Sequence, residues 1–283
     1  MKIIKQKTKT LTTRDNGRSA DAISPNFIYG CLGGCMCSYC YVGRYNNDKV
    51  YINENTDQIL ESVTRWCANQ DWPKVPNQTD PTYYTIDIGC STDVALMSKH
   101  YDWGMVFRFF NNSPMMKSTF ATKYPTMFDP TKYELAPGKH RIRVSLMPQV
   151  FSDILEPNTD LISDRIQSIP HLQNYMEVHI NFSPIVYVGG WLDEYRKLFE
   201  EIKNAGIDVK CECIFLTYNK IQYERNPDHI NELLWRPDLQ ECKDSQYAPD
   251  NIRYKYKLKS KMVDEFTELY KEYFDPSNIR YIF

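Results

Sequence analysis

Between Thr56 and Phe274 the sequence alternates strand-like runs with amphipathic, helix-like ones, and this alternation restricts the chain to a layered α/β fold. "TDQILESVTRWCANQ" carries apolar residues at 59, 60, 63, 66 and 67, a helical stripe, with Thr56 as its N-cap. "PTYYTIDIGC" predicts a strand ending near Cys90, and "KSTFATKY" and "HRIRVSLM" predict two more, ending near Lys123 and Ser145. "YMEVHINFSPIVYV" reads as a strand and leads into the helix "WLDEYRKLFEEIKNAG", closed by Gly206. "DVKCECIFLTY" is a further strand and "SKMVDEFTELYKEYF" a last amphipathic helix. Five or six βα units result, and no repeat, low-complexity tract or linker divides them. The expectation is a parallel sheet curled toward a barrel, with reactive residues at the C-terminal strand ends. Cys90, Lys123, Ser145 and Thr217 fall at such ends.

Composition narrows the class. Of 283 residues, 42% are hydrophobic and 25% charged, the balance of a soluble globular chain. No apolar run reaches the roughly 18–20 residues of a membrane span. The start, "MKIIKQKTKTLTTRDNGRSADAIS", is basic and polar and lacks the apolar core of a secretion signal. It is expected to be a flexible arm over 1–25, followed by a single domain over 26–283. Nine cysteines without such a signal point to a reducing, cytoplasmic setting, where clustered thiols serve metals or catalysis. A formal charge of −2 gives no global pull toward nucleic acid and leaves that task to local basic patches.

The cysteines are concentrated in "NFIYGCLGGCMCSYCYVGRYN", where Cys31, Cys35, Cys37 and Cys40 fall within ten residues. A structural zinc site usually takes two C-x₂-C knuckles well apart; here there is one, Cys37 to Cys40. Short spacings in one loop suit an iron–sulfur cube better, with three thiolates leaving the fourth iron open. A cluster for electron transfer alone would want a fourth ligand, often followed by proline, and neither Cys40 nor Cys90 precedes one.

On these residues the sequence resembles the radical S-adenosylmethionine superfamily, whose usual loop is C-x₃-C-x₂-C with an aromatic residue before the last cysteine. "SYCY", "DIGCSTD", "FATKY", "RVS", "EPNTDLISDRI", "SPIVYVGGWLDEYRKLFEEI" and "YKYKLKSK" occur in the order seen in the spore photoproduct lyase family, from about residue 27 onward. The loop departs from the pattern as C-x₅-C-x₂-C, with Cys35 inside. Cys31, Cys37 and Cys40 are the expected ligands, and a C-x₃-C-x₄-C set using Cys35 stays open.

The resemblance implies a partial (β/α)6 barrel of the radical S-adenosylmethionine type, with a C-terminal helix and a basic strand or hairpin region. It implies a [4Fe-4S] cluster and S-adenosyl-L-methionine, with Ser91, Lys123 and Ser145 as cofactor-binding residues. Cys90 would return a hydrogen atom to the substrate radical, and Tyr39 and Tyr41 would pass the radical onward. By itself, a lone cysteine at a strand end reads equally as a small buried hydrophobe, and the two tyrosines as packing. The implied substrate is DNA containing a thymine photolesion, flipped out of the stack. The implied setting is a monomer, off the membrane, served by an external electron donor such as flavodoxin or ferredoxin. In "RYKYKLKSK", Arg253 and Tyr254 are expected at the nucleic acid, with alternate side chains gripping phosphates and stacking bases; as a strand, the same run divides between packed and solvated faces. Two rival readings stay open: a related radical enzyme acting on RNA, a peptide or a metabolite, and a non-catalytic, metal-stabilised nucleic-acid-binding module.

Overall fold

The computed structural model describes residues 2–32, 37–44, 49–245 and 248–283. The chain enters along β1 (Lys2–Gln6), β2 (Arg14–Asp15), β3 (Ala22–Ile23) and β4 (Ile28–Tyr29), passes the cysteine loop, and returns on β5 (Lys49–Asn53) into α1 (Thr56–Cys67). Then follow β6 (Tyr84–Asp87), α2 (Trp103–Asn111), β7 (Met116–Thr122), β8 (His140–Leu146), α3 (Gln149–Leu155), α4 (Ile162–Gln173), β9 (Glu177–Ile185), α5 (Trp191–Asn204) and β10 (Cys211–Phe215). The last part runs through β11 (Thr217–Asn219), α6 (Lys220–Arg225), α7 (Asp228–Leu234), β12 (Gln240–Ser245), β13 (Ala248–Tyr254), α8 (Tyr256–Lys271) and β14 (Ile279–Ile282).

Six strands lie side by side and all parallel, in the order β6-β7-β8-β9-β10-β14. β3 adds in parallel beside β6, and β2 antiparallel beyond it, giving an eight-stranded sheet curled into a half-barrel. The expected parallel sheet is therefore present, and each strand hands its C-terminal end to the same rim.

The two faces of the sheet differ in chemistry. All seven residues of β8 are buried, as a strand covered on both sides must be. Its Ile142 and Val144 join the apolar core, whereas Arg141 and Arg143 point into the half-barrel. Arg143 bridges Asp87 on β6 (2.6 Å) and Glu212 on β10 (3.3 Å), two strands away on either side. Glu212 also holds Arg280 of β14 and accepts from the Tyr281 hydroxyl at 2.7 Å. Nearer the N-terminal ends, Arg141 meets Asp80 at 2.8 Å, and Lys117 pairs with Asp80 and Glu177. Buried charge on this scale is tolerated only because each ion has partners.

On the outer face, helices cover an aromatic layer. Phe266 of α8 packs against Tyr195 (5.2 Å between ring centroids) and Phe199 (5.5 Å) of α5, and against Phe182 of β9 (5.9 Å). α5 ends as expected: Gly206 adopts φ +69° and its N–H reaches the Lys203 carbonyl at 2.9 Å.

Two expectations are corrected. The segment 2–25 is tied to the rest of the fold, where a flexible arm was expected. β1 pairs with β5, the Glu54 N–H reaches the Gln6 carbonyl at 2.7 Å, and the Thr13 and Ser62 hydroxyls meet at 3.0 Å. Backbone pairing fixes it, and a polar composition does not reveal such pairing. Thr56 is the first residue inside α1, not its cap, and its hydroxyl meets that of Tyr101 at 2.6 Å. Asn55 occupies the cap position, but its side chain faces the arm, accepting from the Thr8 N–H at 2.9 Å.

Candidate active site

A cavity of about 300 Å³ opens at the C-terminal rim of the half-barrel. Cys31, Cys37 and Cys40 stand along it with the tyrosines Tyr39 and Tyr41, and the strand ends contribute Cys90, Lys123, Ser145 and Ser183. The loop carrying the thiols is tied to the barrel by its backbone: the Gly30 N–H reaches the Ser91 carbonyl and the Ser38 N–H the Leu155 carbonyl, each at 2.9 Å. Thr217, at the start of β11, completes the wall.

Cys90 lies three residues beyond β6 on a turn that requires glycine before it. A Cβ on Gly89 would stand 3.0 Å from both the Phe120 Cβ and the Val94 Cγ2, a crowded approach that would push one of these neighbours back by a few tenths of an ångström. Tyr41 donates its hydroxyl proton to the Cys90 carbonyl, and its oxygen lies 3.1 Å from Cys90 Sγ. With that proton committed, the thiol is the donor of the S–H···O contact. Burial and the nearby Asp87 carboxylate push the Cys90 thiol up, which favours the S–H form. Arg14 of β2 approaches the same sulfur at 3.9 Å.

On the other side, Tyr39 donates to Glu156, whose side chain is fully buried and pairs with Arg165 at 3.0 Å. Lys123 Nζ lies 3.8 Å from Glu156 and 5.7 Å from the centre of the Tyr39 ring. Burial lowers the Lys123 pKa, but Glu156 and the thiols of Cys37 and Cys40 more than offset this and keep it charged. Asp93 joins the two halves of the rim, accepting from Thr122 Oγ1 at 2.7 Å and the Lys123 N–H at 2.8 Å.

Of the residues expected from the sequence, Cys31, Cys37, Cys40, Tyr39, Tyr41, Cys90, Lys123 and Ser145 converge on this cavity. Ser91, also expected at the cofactor, is buried outside this lining, where Thr92 and Asp93 stand. Tyr254, expected at the nucleic acid, also lies off the surface. It is 3% exposed, its hydroxyl accepts from the Tyr187 N–H at 2.8 Å, and it offers no free face to a base. The run "RYKYKLKSK" changes from strand to helix between Tyr254 and Tyr256, so the exposed aromatic is Tyr256, at 82%. Arg253 is partly exposed, 3.8 Å from Glu241. The sequence reading also passed over Glu156 and Arg165, although both lie in the quoted "EPNTDLISDRI".

The donor set fits an iron–sulfur cluster: three thiols, the ligand type such clusters take, face a cavity beside a held cation. Among the described residues no three His, Cys, Asp or Glu side chains stand grouped as a metal site. Cys35, the alternative ligand, lies outside the described residues.

A curled half-barrel with a cysteine loop across its C-terminal rim defines the fold of the radical S-adenosylmethionine class. The spore photoproduct lyase family model matches residues 3–283, and the chain belongs to that family of enzymes. No curated protein matches it by sequence. Among solved structures, spore photoproduct lyase complexed with dinucleoside spore photoproduct superposes with a TM-score of 0.82 at 18% identity, covering 99% of this chain and 82% of that one. A spore photoproduct lyase mutant with bound AdoMet and dinucleoside spore photoproduct gives a TM-score of 0.80 at the same identity and coverage. Among the described residues no helix is long and apolar enough to cross a membrane.

Proposed function

We propose that this chain is a carbon–carbon lyase that reverses a thymine photolesion in DNA, with Cys90 as the hydrogen-atom donor that completes the repair. The observation that carries the reading is the Cys90 thiol, 3.1 Å from the Tyr41 hydroxyl and lining the same cavity as three loop cysteines. Cys31, Cys37 and Cys40 would hold a [4Fe-4S] cluster, and Lys123 and Ser145 would face the carboxylate and other polar groups of S-adenosylmethionine. When bound and reduced by an external donor such as flavodoxin or ferredoxin, these cofactors supply a 5′-deoxyadenosyl radical that takes a hydrogen atom from the lesion.

The chain's own residues then act on the repaired strand. Homolysis of the Cys90 S–H bond and formation of a C–H bond quench the thymine carbon radical and leave a thiyl on Cys90. The Tyr41 hydroxyl, 3.1 Å away, would then turn from the Cys90 carbonyl to the sulfur and restore the S–H bond, its O–H bond breaking and the unpaired electron moving to the phenol oxygen. Glu156 holds Tyr39 and Lys123 together beside the last loop cysteine, which keeps a charged lysine at the cavity wall. Arg253 is retained as a phosphate contact, and the chain is taken to act as a monomer in the cytoplasm.

Anaerobic reconstitution with iron and sulfide, followed by cleavage of S-adenosylmethionine with and without a thymine photoproduct dinucleotide, tests the reading. Cys90→Ala is expected to keep cofactor cleavage while the yield of restored thymines falls sharply. An unchanged yield would remove Cys90 from the reaction.

A further inference from the structure

A second cavity, of about 560 Å³, lies along the N-terminal segment and is larger than the one at the rim. Its wall is built by a period of two. Leu11 packs toward the core and Thr13 is pinned to Ser62, so Gln6, Thr8, Thr10, Thr12 and Arg14 all turn the other way and line the groove. Opposite them stand Tyr29 and Tyr51, with ring centroids 6.5 Å apart. Among the described residues no aspartate or glutamate lines the groove. Two carboxylates that adjoin lining residues in sequence are engaged, Glu54 with Lys5 at 3.4 Å and Asp15 with the Trp66 indole N–H at 2.7 Å. Arg14, which lines the groove, is exposed and has no carboxylate partner among the described residues. Arg14 also reaches Cys90, so one end of the groove meets the rim cavity.

Hydroxyls, side-chain amides and a guanidinium are groups that bind sugar and phosphate, and two half-buried rings at the wall offer edges and faces for stacking. A strand whose damaged nucleotides sit at Cys90 must leave the rim cavity, and this groove begins there. We propose that the groove of residues 6–14 is a track for the single-stranded DNA flanking the lesion, an assignment that rests on the repair reading above. Binding there adds affinity that a dinucleoside lacks, and it makes that affinity salt-dependent.

The test uses the full chain and compares an isolated photoproduct dinucleoside, a lesion-bearing 12-nucleotide strand, and an undamaged strand of the same length. Thr10 is exposed, its hydroxyl has no protein partner, and it lies away from the thiols, so substitutions there leave the fold and dinucleoside repair intact. Thr10→Glu is expected to weaken binding of the 12-nucleotide strand several-fold and Thr10→Lys to strengthen it. Arg14→Ala should reduce the slope of log affinity for the undamaged strand against log salt by about one. Equal affinity of the wild type, Thr10→Glu and Thr10→Lys for the strand would overturn the track. Absence of dinucleoside repair by the wild type would overturn the repair reading alone, because binding of the undamaged strand still decides the groove.

Discussion

At the level of single side chains, the site depends on groups whose partners lie far apart in sequence. Glu156 is fully buried and serves Arg165, Lys123 and Tyr39 at once. Glu156→Gln removes the negative charge and leaves Arg165 buried against neutral partners. By the cost of breaking a buried ion pair, this should destabilise the fold by about 3–5 kcal/mol, and chemical denaturation measures it; a change below about 1 kcal/mol would show the pair to be dispensable. How far the sequence disclosed such residues varied. Cys90 and Tyr41 were legible as rim residues because one follows a predicted strand end and the other belongs to the cysteine loop. Ser91 was not separable from Thr92, since beyond a strand end no periodicity says which neighbour turns inward. Tyr254 was misjudged for a related reason: the side-chain period changes from two to 3.6 just past it, and the ring folds in against Tyr187 (6.3 Å between centroids).

Among elements, the helices and parallel strands were the most readable, because each has one apolar face and a strong period. α5 and α8 meet through Phe266, which is completely buried among Trp191, Tyr195, Phe199 and Phe215. Phe266→Ala should cost about 3–5 kcal/mol through lost burial and an unfilled cavity, read as a lower denaturation midpoint. Because Phe266 lies on the outer face of the sheet, cofactor cleavage by the protein that remains folded should be unchanged. The N-terminal segment was the least readable element. Its strands are two to five residues long, and β1 and β2 are largely exposed, so hydrogen bonds to β5 and α1 specify them more than any sequence pattern does.

Across the whole molecule, buried polar groups set the response to acid. His140 is completely buried; Ser118 Oγ lies 2.9 Å from its Nδ1, and its Nε2 donates to Asn111 Oδ1 at 2.6 Å. His179 accepts from Arg280 at Nδ1 (3.1 Å) and donates from Nε2 to Glu177 (2.7 Å). Both arrangements suit the neutral ring. Burial, with nearby cations, pushes both rings down to about 4 from an ordinary value of 6.5. The unfolded chain therefore binds protons between pH 6.5 and about 4 that the folded chain does not. Stability is fully present above pH 6.5 and should fall with acid by up to about 1.4 kcal/mol per pH unit for each histidine. Glu177 acts with the same sign at lower pH: burial raises its carboxyl, but His179 and Arg141 together hold it well below the usual range. Melting curves between pH 7.5 and 4.5 check this, and a flat profile would contradict it.

The bridged ions inside the half-barrel have one more consequence. Arg143, held between Asp87 and Glu212, lays an ionic floor across the half-barrel interior beneath the strand ends. The site is in this sense a dish set above paired ions. On the proposed repair reading a long polymer need never be threaded, since it lies over the lip and lowers only its damaged nucleotides.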